Sequence, residues 1–386
     1  MKVTLLTGTA LGAAGFGCAI LPAPASAADG IKLSLGGFFQ TAVLANFDDH
    51  KAGELGNKHY NDGVFSDGEI YFSGETALDN GLTVGARVEL EAEQSDDQID
   101  AAYAYFQGGF GEVRIGSQNG ALMTLCVTPV GGTANFGAFS QDEIINNAFS
   151  DVGYSNGMCN SVDGFGLGIP GEGGKTQKVL YLSPNFGGFQ LAVSWAPNGA
   201  HEFTGVTDFH SGMPAVIDGE QRNVVDAYAN YSHDFENWSL AWGGGGSWAL
   251  STGGNAGGVK KNDYYQSGLN LTFGNFSISA VGEYYHDMIH FDDGSNGNGW
   301  VVGGGMAYTL DAWTLGLQYS HGDFDFTGDH VDRRVNTLAA TGIYALGPGI
   351  SLDGTLQYTW AGGDQGDAAH GGYKAVSLGV GTAFTF

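Results

Sequence analysis

The feature that most constrains this chain is a series of short segments in which apolar and polar residues alternate. Residues 313–320 read WTLGLQYS, with a large apolar side chain at every second position. Residues 82–93 read LTVGARVELEAE and follow the same rule. A period of two places successive side chains on opposite faces of a β-strand. Each segment therefore predicts a strand with one apolar and one polar face.

The connections between these segments alternate in length. Seven are tight turns, such as Asn80-Gly81 and Gly274-Asn275, and between them lie longer connections rich in Gly, Asp and Asn. We count sixteen predicted strands, among them residues 69–78, 300–310, 313–321 and the terminal 373–386. Short turns at one rim and long loops at the other are typical of an up-and-down membrane barrel. A sandwich or propeller mixes connection lengths less regularly.

The composition favours lipid over water as the surroundings of the apolar face. Charged residues make up 14% of the chain, whereas a soluble domain has about 25%. After the first thirty residues no segment has the roughly 18 apolar residues of a transmembrane helix. Tryptophans lie near predicted strand ends, as in interfacial girdles. They are Trp238, Trp248, Trp300, Trp313 and Trp360.

These observations predict an all-β fold, a 16-stranded antiparallel up-and-down transmembrane β-barrel. A sheet crosses a bilayer only when it closes, because every backbone group must be paired there. Sixteen strands enclose a water-filled lumen rather than a packed core. A terminal Phe386 that closes an alternating strand fits the same class of protein.

The balance of charges limits which partners the chain can bind. The 14 Lys and Arg residues stand against 41 Asp and Glu, which gives a formal net charge of -27. Such a chain is not suited to nucleic acid or to anionic headgroups. Two interpretations of the acids stay open, attraction of cations to the lumen and solubility of the outer loops.

The N-terminus predicts export. Lys2 is followed by an apolar run, and Ala25-Ser26-Ala27 forms an A-x-A cleavage site, so residues 1–27 are a predicted signal peptide and 28–386 the barrel. Cys18 raises a lipoprotein as the alternative, although the residues before it match such sites poorly. The two remaining cysteines, Cys126 and Cys159, are an even pair in an exported chain, which permits a disulfide.

Residues 119–176 interrupt the regular pattern. This insert is more than fifty residues long, holds both mature cysteines, and carries scattered acids. A long non-repeating connection inside a compact frame is functional or disordered. A Cys126–Cys159 bridge would close a loop of about 33 residues and would be worth roughly 3–4 kcal/mol in the chain-entropy model. Two reduced thiols are the alternative.

Three stretches carry a family resemblance. Residues 181–189 read YLSPNFGGF, residues 81–91 read GLTVGARVELE, and residues 109–116 read GFGEVRIG. With the terminal Phe386, they resemble the hairpins of general porins of Gram-negative bacteria, in particular the alphaproteobacterial type. The resemblance implies a homotrimer in the outer membrane and passive diffusion of small hydrophilic solutes and ions. It also implies that the third loop, here residues 119–176, folds into the lumen and narrows it. A loop held in a wet lumen is expected to bury little apolar surface, so a Cys126–Cys159 bridge would fix its shape.

In such porins, acids on the third loop face basic side chains on the wall, and the field between them sorts solutes by charge. Carried over to this chain, the resemblance gives a set of constriction candidates, and the net charge predicts a preference for cations. The loop candidates are Asp142, Glu143 and Asp151, and the wall candidates are Arg87, Arg114, Lys32 and Glu89.

Other chemistry finds little support. There is no G-x-S-x-G or H-E-x-x-H motif, and His286 and His290 lie at a strand end, so we predict neither an enzyme nor a cofactor. Structural Ca²⁺ is a weaker hypothesis, at Asp48-Asp49, Asp292-Asp293 and the acids of the insert. A substrate-selective channel for sugars or an anion is the alternative to a general diffusion porin. A barrel enzyme or receptor comes third.

Overall fold

The computed structural model describes residues 30–48, 62–92, 98–131, 175–198, 221–252, 262–290, 296–328, 332–362 and 373–386. These residues form sixteen strands and a short helix, α1 (Ala121–Leu125). The strands are β1 (Lys32–Asp48), β2 (Asp62–Ala77), β3 (Thr83–Glu91), β4 (Ile99–Gly108), β5 (Gly111–Ser117), β6 (Gln177–Leu182), β7 (Phe189–Asn198), β8 (Gln221–Asp234), β9 (Ser239–Thr252), β10 (Asp263–Phe273), β11 (Phe276–His290), β12 (Asn296–Leu310), β13 (Trp313–Phe326), β14 (Arg333–Gly347), β15 (Ile350–Gly362) and β16 (Tyr373–Thr385).

The strands form one closed antiparallel barrel in which each strand pairs with its neighbours in sequence and β1 pairs with β16. At the seam, Phe38 lies opposite Thr385 and the register continues to Asp48 opposite Ala375. The terminal Phe386 exchanges backbone hydrogen bonds with Gly37, of 3.0 and 3.1 Å. Closure leaves no open sheet edge, which is the condition for a sheet in lipid. The predicted fold class is confirmed.

The two faces of the barrel are the reverse of those in a soluble protein, because apolar side chains face outward and polar side chains face inward. On β13, Leu315 and Leu317 are 56% and 41% exposed on the outer face, whereas the inward Gln318 and Ser320 are 3% and 0% exposed. The same alternation places apolar side chains outward on the other strands. No helix among the described residues is long and apolar enough to span a membrane.

The seven predicted tight turns are all present, and they join β2 to β3 and every second strand pair after that. In the first of them, Asn80 Oδ1 accepts a hydrogen bond of 3.0 Å from the backbone N–H of Leu82. Gly81 has a φ of 82°, which a residue without Cβ adopts at little cost. The turn predicted at Asn80-Gly81 is therefore confirmed.

Several strands are longer than predicted, and the extra residues lie at the rim of the long connections. Strand β2 begins at Asp62 instead of residue 69, and β13 ends at Phe326 instead of residue 321. The added part of β13 pairs with β12, for example Asp325 with Asn298. The backbone ladder needs no apolar side chain, so a segment rich in Gly, Asp and Asn continues it. Its composition made it look like a loop.

Strands β5 and β6 are exceptionally short and determine where the insert leaves the wall. They contain 7 and 6 residues, while β11 and β12 contain 15 each. Both start or end at a tight turn on the short-turn rim. The insert therefore leaves the wall below the long-connection rim that strands such as β11 and β12 reach, and it starts inside the barrel.

Candidate functional site

An apolar strip on the inner face of the barrel receives helix α1. Leu122 and Leu125 of this helix are 1% and 8% exposed. The inward residues of the strip that share their cluster are Leu180, Leu182, Ala192, Tyr228, Tyr264, Val281, Tyr285, Val301 and Phe324. The expectation that the insert buries little apolar surface is wrong for this part of it. The available signal was the run Val179–Leu182, which is apolar on both faces of β6.

Polar side chains of β7, β8 and β9 hold the start of α1. The backbone N–H of Ala121 donates to Ser194 Oγ at 3.0 Å. The hydroxyls of Ser194 and Ser247 donate to the carboxylate of Asp226 at 2.9 and 2.6 Å. Asp226 is buried and interacts electrostatically with the ammonium group of Lys178. A buried carboxylate with these partners fixes the entry of the insert into the lumen.

After α1 the chain continues along the inner wall as an extended stretch, residues 126–131, which we call the wall segment. The backbone N–H of Val127 donates to Tyr228 Oη at 3.3 Å, and Gln266 Nε2 donates to Val127 O at 3.1 Å. Asn270 Nδ2 donates to Thr128 O at 2.9 Å. The first half of the wall segment is thus bonded to β8 and β10.

The second half of the wall segment is bonded to strands further around the barrel. The backbone N–H of Val130 donates to Ser279 Oγ of β11 at 2.8 Å. Thr341 Oγ1 of β14 donates to Gly131 O at 3.2 Å. From Ser194 on β7 to Thr341 on β14, the described start of the insert follows half of the barrel wall.

The opposite part of the inner wall, on β2 to β5, carries charged groups. Arg87 Nε lies 2.6 Å from Glu89 Oε1, two residues along the same strand and hence on the same face. The guanidinium carbon of Arg87 is 4.1 Å from the ring centroid of Tyr71 on β2. The predicted wall cation therefore faces inward, but it is paired with a carboxylate and stacked on an aromatic ring.

A second pair repeats this arrangement on β5. Arg114 Nε lies 2.5 Å from Glu112 Oε1, and its guanidinium carbon is 5.3 Å from the ring centroid of Tyr103 on β4. The side chains of both residues are largely buried. Two arginines are thereby held flat against the wall, each with its own counter-ion.

Three carboxylates meet beside the first of these pairs. One oxygen from each of Glu69, Glu89 and Asp100 lies within 4.8 Å of the others. The ammonium group of Lys175 is 3.2 Å from Glu89 Oε2 and is in ion-pair contact with Asp100. Carboxylate oxygens of this kind suit hard cations such as Ca²⁺, and here the chain supplies a cation of its own.

Lys175 and Asp100 belong to this charged cluster, and the sequence reasoning missed both. Lys175 lies at the end of the insert, 86 residues from Glu89 in sequence, so no local pattern connects them. Basic residues are scarce in this chain, which has 14 Lys and Arg in all, and this scarcity could have singled out Lys175. A lysine at the end of the insert, just before a short strand, was a candidate for the lumen.

The structure brings together only some of the predicted site residues. Arg87, Glu89 and Arg114 share the inner wall, while Lys32 lies nearer the short-turn rim, at the start of β1 opposite Glu75. The loop acids Asp142, Glu143 and Asp151 lie outside the described residues. Their role stays a prediction.

The covalent and metal predictions also fall partly outside the described residues. Cys126 follows α1 and is half-buried, but Cys159 is outside the described ranges, so the bridge stays a prediction. Asp49, Asp292 and Asp293 are outside them as well. The Ca²⁺ hypothesis therefore stays a prediction.

Comparison with known proteins agrees with this geometry. Two curated relatives, a monosaccharide porin of a Halomonas species and the major outer membrane protein of Halomonas elongata, are each 30% identical over 215 residues. The alignment covers 54% of this chain and 52% of each relative, so the chain spans about half the length of the curated relatives that it matches.

The fold has solved counterparts. An anion-selective porin from Comamonas acidovorans superposes with a TM-score of 0.58 at 17% identity, over 92% of this chain and all of that one. At this identity the likeness concerns the fold alone. A family profile described as Gram-negative porin matches residues 9–364. The chain therefore belongs to the family of Gram-negative porins.

Proposed function

We propose that this chain forms a passive channel through which small hydrophilic solutes and ions cross the outer membrane. The observation that carries the proposal is the closed barrel with an apolar outside and polar and charged side chains inside. A segment that runs along the inner wall would narrow such a lumen without closing it. Residues 119–176 are accordingly proposed as the constriction loop.

A preference for cations is the finer part of the proposal. It is supported by the charges of the inner wall on β1 to β5 and of Lys175 at the end of the insert, where these acids outnumber these bases. The acids are Glu69, Glu75, Glu89, Asp100 and Glu112, and the bases are Arg87, Arg114, Lys175 and Lys32, which lies opposite Glu75. Each arginine is neutralised by its own glutamate, so the remaining carboxylates set the sign of the potential.

The test is the zero-current potential of single channels in a planar bilayer under a salt gradient of KCl. We expect discrete conductance steps and a potential whose sign shows selectivity for K⁺. Anion selectivity would refute the preference for cations but leave the channel. Purified, folded protein without conductance would refute the channel itself.

A sugar-selective channel is the second candidate. It is favoured by three tyrosines on the same inner wall, Tyr71, Tyr103 and Tyr105, the last of which donates to Glu75 at 2.8 Å. Aromatic faces and carboxylates together recognise sugar rings and hydroxyl groups, and one relative is named a monosaccharide porin. Addition of glucose to the bilayer chamber would interrupt the current of a selective channel and leave that of a general porin steady.

Assembly and export complete the proposal. We propose a homotrimer, as the family resemblance implies, and removal of residues 1–27 on export. The mass of the detergent-solubilised protein by light scattering, corrected for detergent, should equal three chains. N-terminal sequencing of the protein from outer membranes should start at Ala28.

A further inference from the structure

The wall segment rests on three inward-facing glycines of the barrel, Gly268 on β10, Gly305 on β12 and Gly316 on β13, which we call the glycine track. A Cβ built on Gly268 would stand 2.0 Å from Val127 O, and one built on Gly305 would stand 1.8 Å from Val130 O. On Gly316 it would stand 2.5 Å from the carbonyl oxygen of Gly131. The backbone of the insert thus occupies the space that wall side chains would fill.

Each glycine of the track is accompanied by a polar side chain that bonds the same part of the wall segment. Ser279 is the cross-strand partner of Gly305, and its hydroxyl accepts from Val130 N. Thr341 is the cross-strand partner of Gly316 and bonds Gly131 O. Hydroxyl side chains are short, so they reach the loop backbone only because the glycine opposite lets it approach.

At Gly268 the accompanying polar side chains lie on the same strand as the glycine. Gln266 and Asn270 flank Gly268 at two residues on either side, which places all three on the inner face of β10. Their amide groups donate to Val127 O and Thr128 O. The wall segment therefore meets a repeated pair of features, an absent side chain and an adjacent donor or acceptor.

At its end the wall segment also lacks a side chain where it touches the barrel. Gly131 has a φ of 89°, and a Cβ on it would stand 2.2 Å from Met306 O and 2.6 Å from Leu317 O. A side chain at this position would strike the backbone of β12 and β13. Wall and loop both lack a side chain where they touch.

From these contacts we infer that the glycine track is a positioning element that sets the distance between the insert and the wall, and with it the width of the lumen. The inference rests on the proposed channel function, since it names the wall residues that fix its aperture. Gly268, Gly305 and Gly316 touch no solute and act through the position of the wall segment.

The expected displacement follows from ordinary contact distances. A carbon atom and a carbonyl oxygen approach to about 3.3 Å, so alanine at position 305 requires a shift of about 1.5 Å from the 1.8 Å available there. The barrel ladder behind Gly305 is paired on both sides. The wall segment is therefore the part that moves, towards the axis of the lumen.

The test compares single-channel conductance of Gly305→Ala, Gly268→Ala and Gly316→Ala with the parent protein. We expect a loss of conductance in each, largest for Gly305→Ala and smallest for Gly316→Ala, in the order of the three distances. Gly282→Ala on the outer face of β11 is the control, because it makes the same substitution in a strand of the same wall and nothing lies within 4 Å of its Cβ. Conductance equal to that of the control, or higher than that of the parent, would overturn the inference.

A second readout separates this inference from the channel function. In a protein with Cys126→Ser and Cys159→Ser, a Val130→Cys thiol is labelled by a maleimide, and Gly305→Ala should increase the labelling rate while Gly282→Ala should not. The heat-resistant migration of the folded barrel on gels shows that each variant folds. An unchanged labelling rate in a folded variant contradicts the displacement, whether or not the parent conducts. A parent without conductance but with the labelling increase would contradict only the channel.

Discussion

Lys175 offers the sharpest test of how the inner wall selects ions. Its ammonium group is the cation that faces Glu89 and Asp100 in the three-carboxylate cluster, 3.2 Å from Glu89 Oε2. In the variant Lys175→Met the side chain keeps its approximate length and loses its charge. With Glu69 and the paired Arg87 counted, the local charge of the cluster then changes from about -1 to -2. We expect stronger preference for cations.

The magnitude follows from Coulomb's law in a wet lumen. A unit charge about 8 Å from a passing ion contributes roughly 0.5 kcal/mol at the dielectric constant of water. Screening at 0.1 M salt reduces this to about 0.25 kcal/mol. A free energy of 1.4 kcal/mol corresponds to a tenfold change in concentration. The local concentration of cations therefore rises, and that of anions falls, by a factor of about 1.5 each. The ratio of cation to anion permeability changes about twofold. At 0.01 M salt the weaker screening raises this to about fourfold.

The assay is the zero-current potential in KCl gradients at both salt levels. Lys374→Met is the matched control, because it removes the same charge from an exposed position on β16, opposite Trp360. That variant should leave the potential unchanged. A Lys175→Met channel with the selectivity of the parent at 0.01 M salt would refute the reasoning that this cluster faces the ion path.

Three further predictions concern the insert. Leu122→Ala should weaken docking of α1 by about 2–5 kcal/mol, seen as faster amide hydrogen exchange in residues 120–131, whereas Leu191→Ala on the outer face should not change that exchange. Tyr228→Phe removes the acceptor of a backbone N–H and should cost about 1–3 kcal/mol, by the same measurement. If Cys126 and Cys159 are bridged, neither reacts with a maleimide before reduction, and labelling of both in unreduced protein would refute the bridge.

Much of the barrel could be predicted from the sequence because its rules are local. Alternation over 313–320 fixed which residues of β13 face outward, and Asn80-Gly81 fixed a turn. The strand ends at the long-connection rim were missed, since pairing such as Asn298 with Asp325 depends on a partner strand and not on composition. Family membership could be inferred from three hairpins.

The functional site was predicted less well, for a physical reason. Arg87 and Glu89 could be named because both lie on the polar face of one strand. Lys175 could not be connected to Asp100, since the pair is joined only when the insert returns to the wall. The apolar strip was missed because an inward-facing leucine violates the expected pattern of a water-filled barrel.

The sequence by itself determined the strand count, the alternation of short and long connections, and which side chains face lipid. These properties follow from a period of two and from turn chemistry, which act over a few residues. The family resemblance predicted that the insert enters the lumen, but only the tertiary structure decided that it lies on Gly268, Gly305 and Gly316. Glycines of this kind look alike in a sequence with 67 of them. Their role comes from the backbone that rests against them, which closure of the barrel brings from far along the chain.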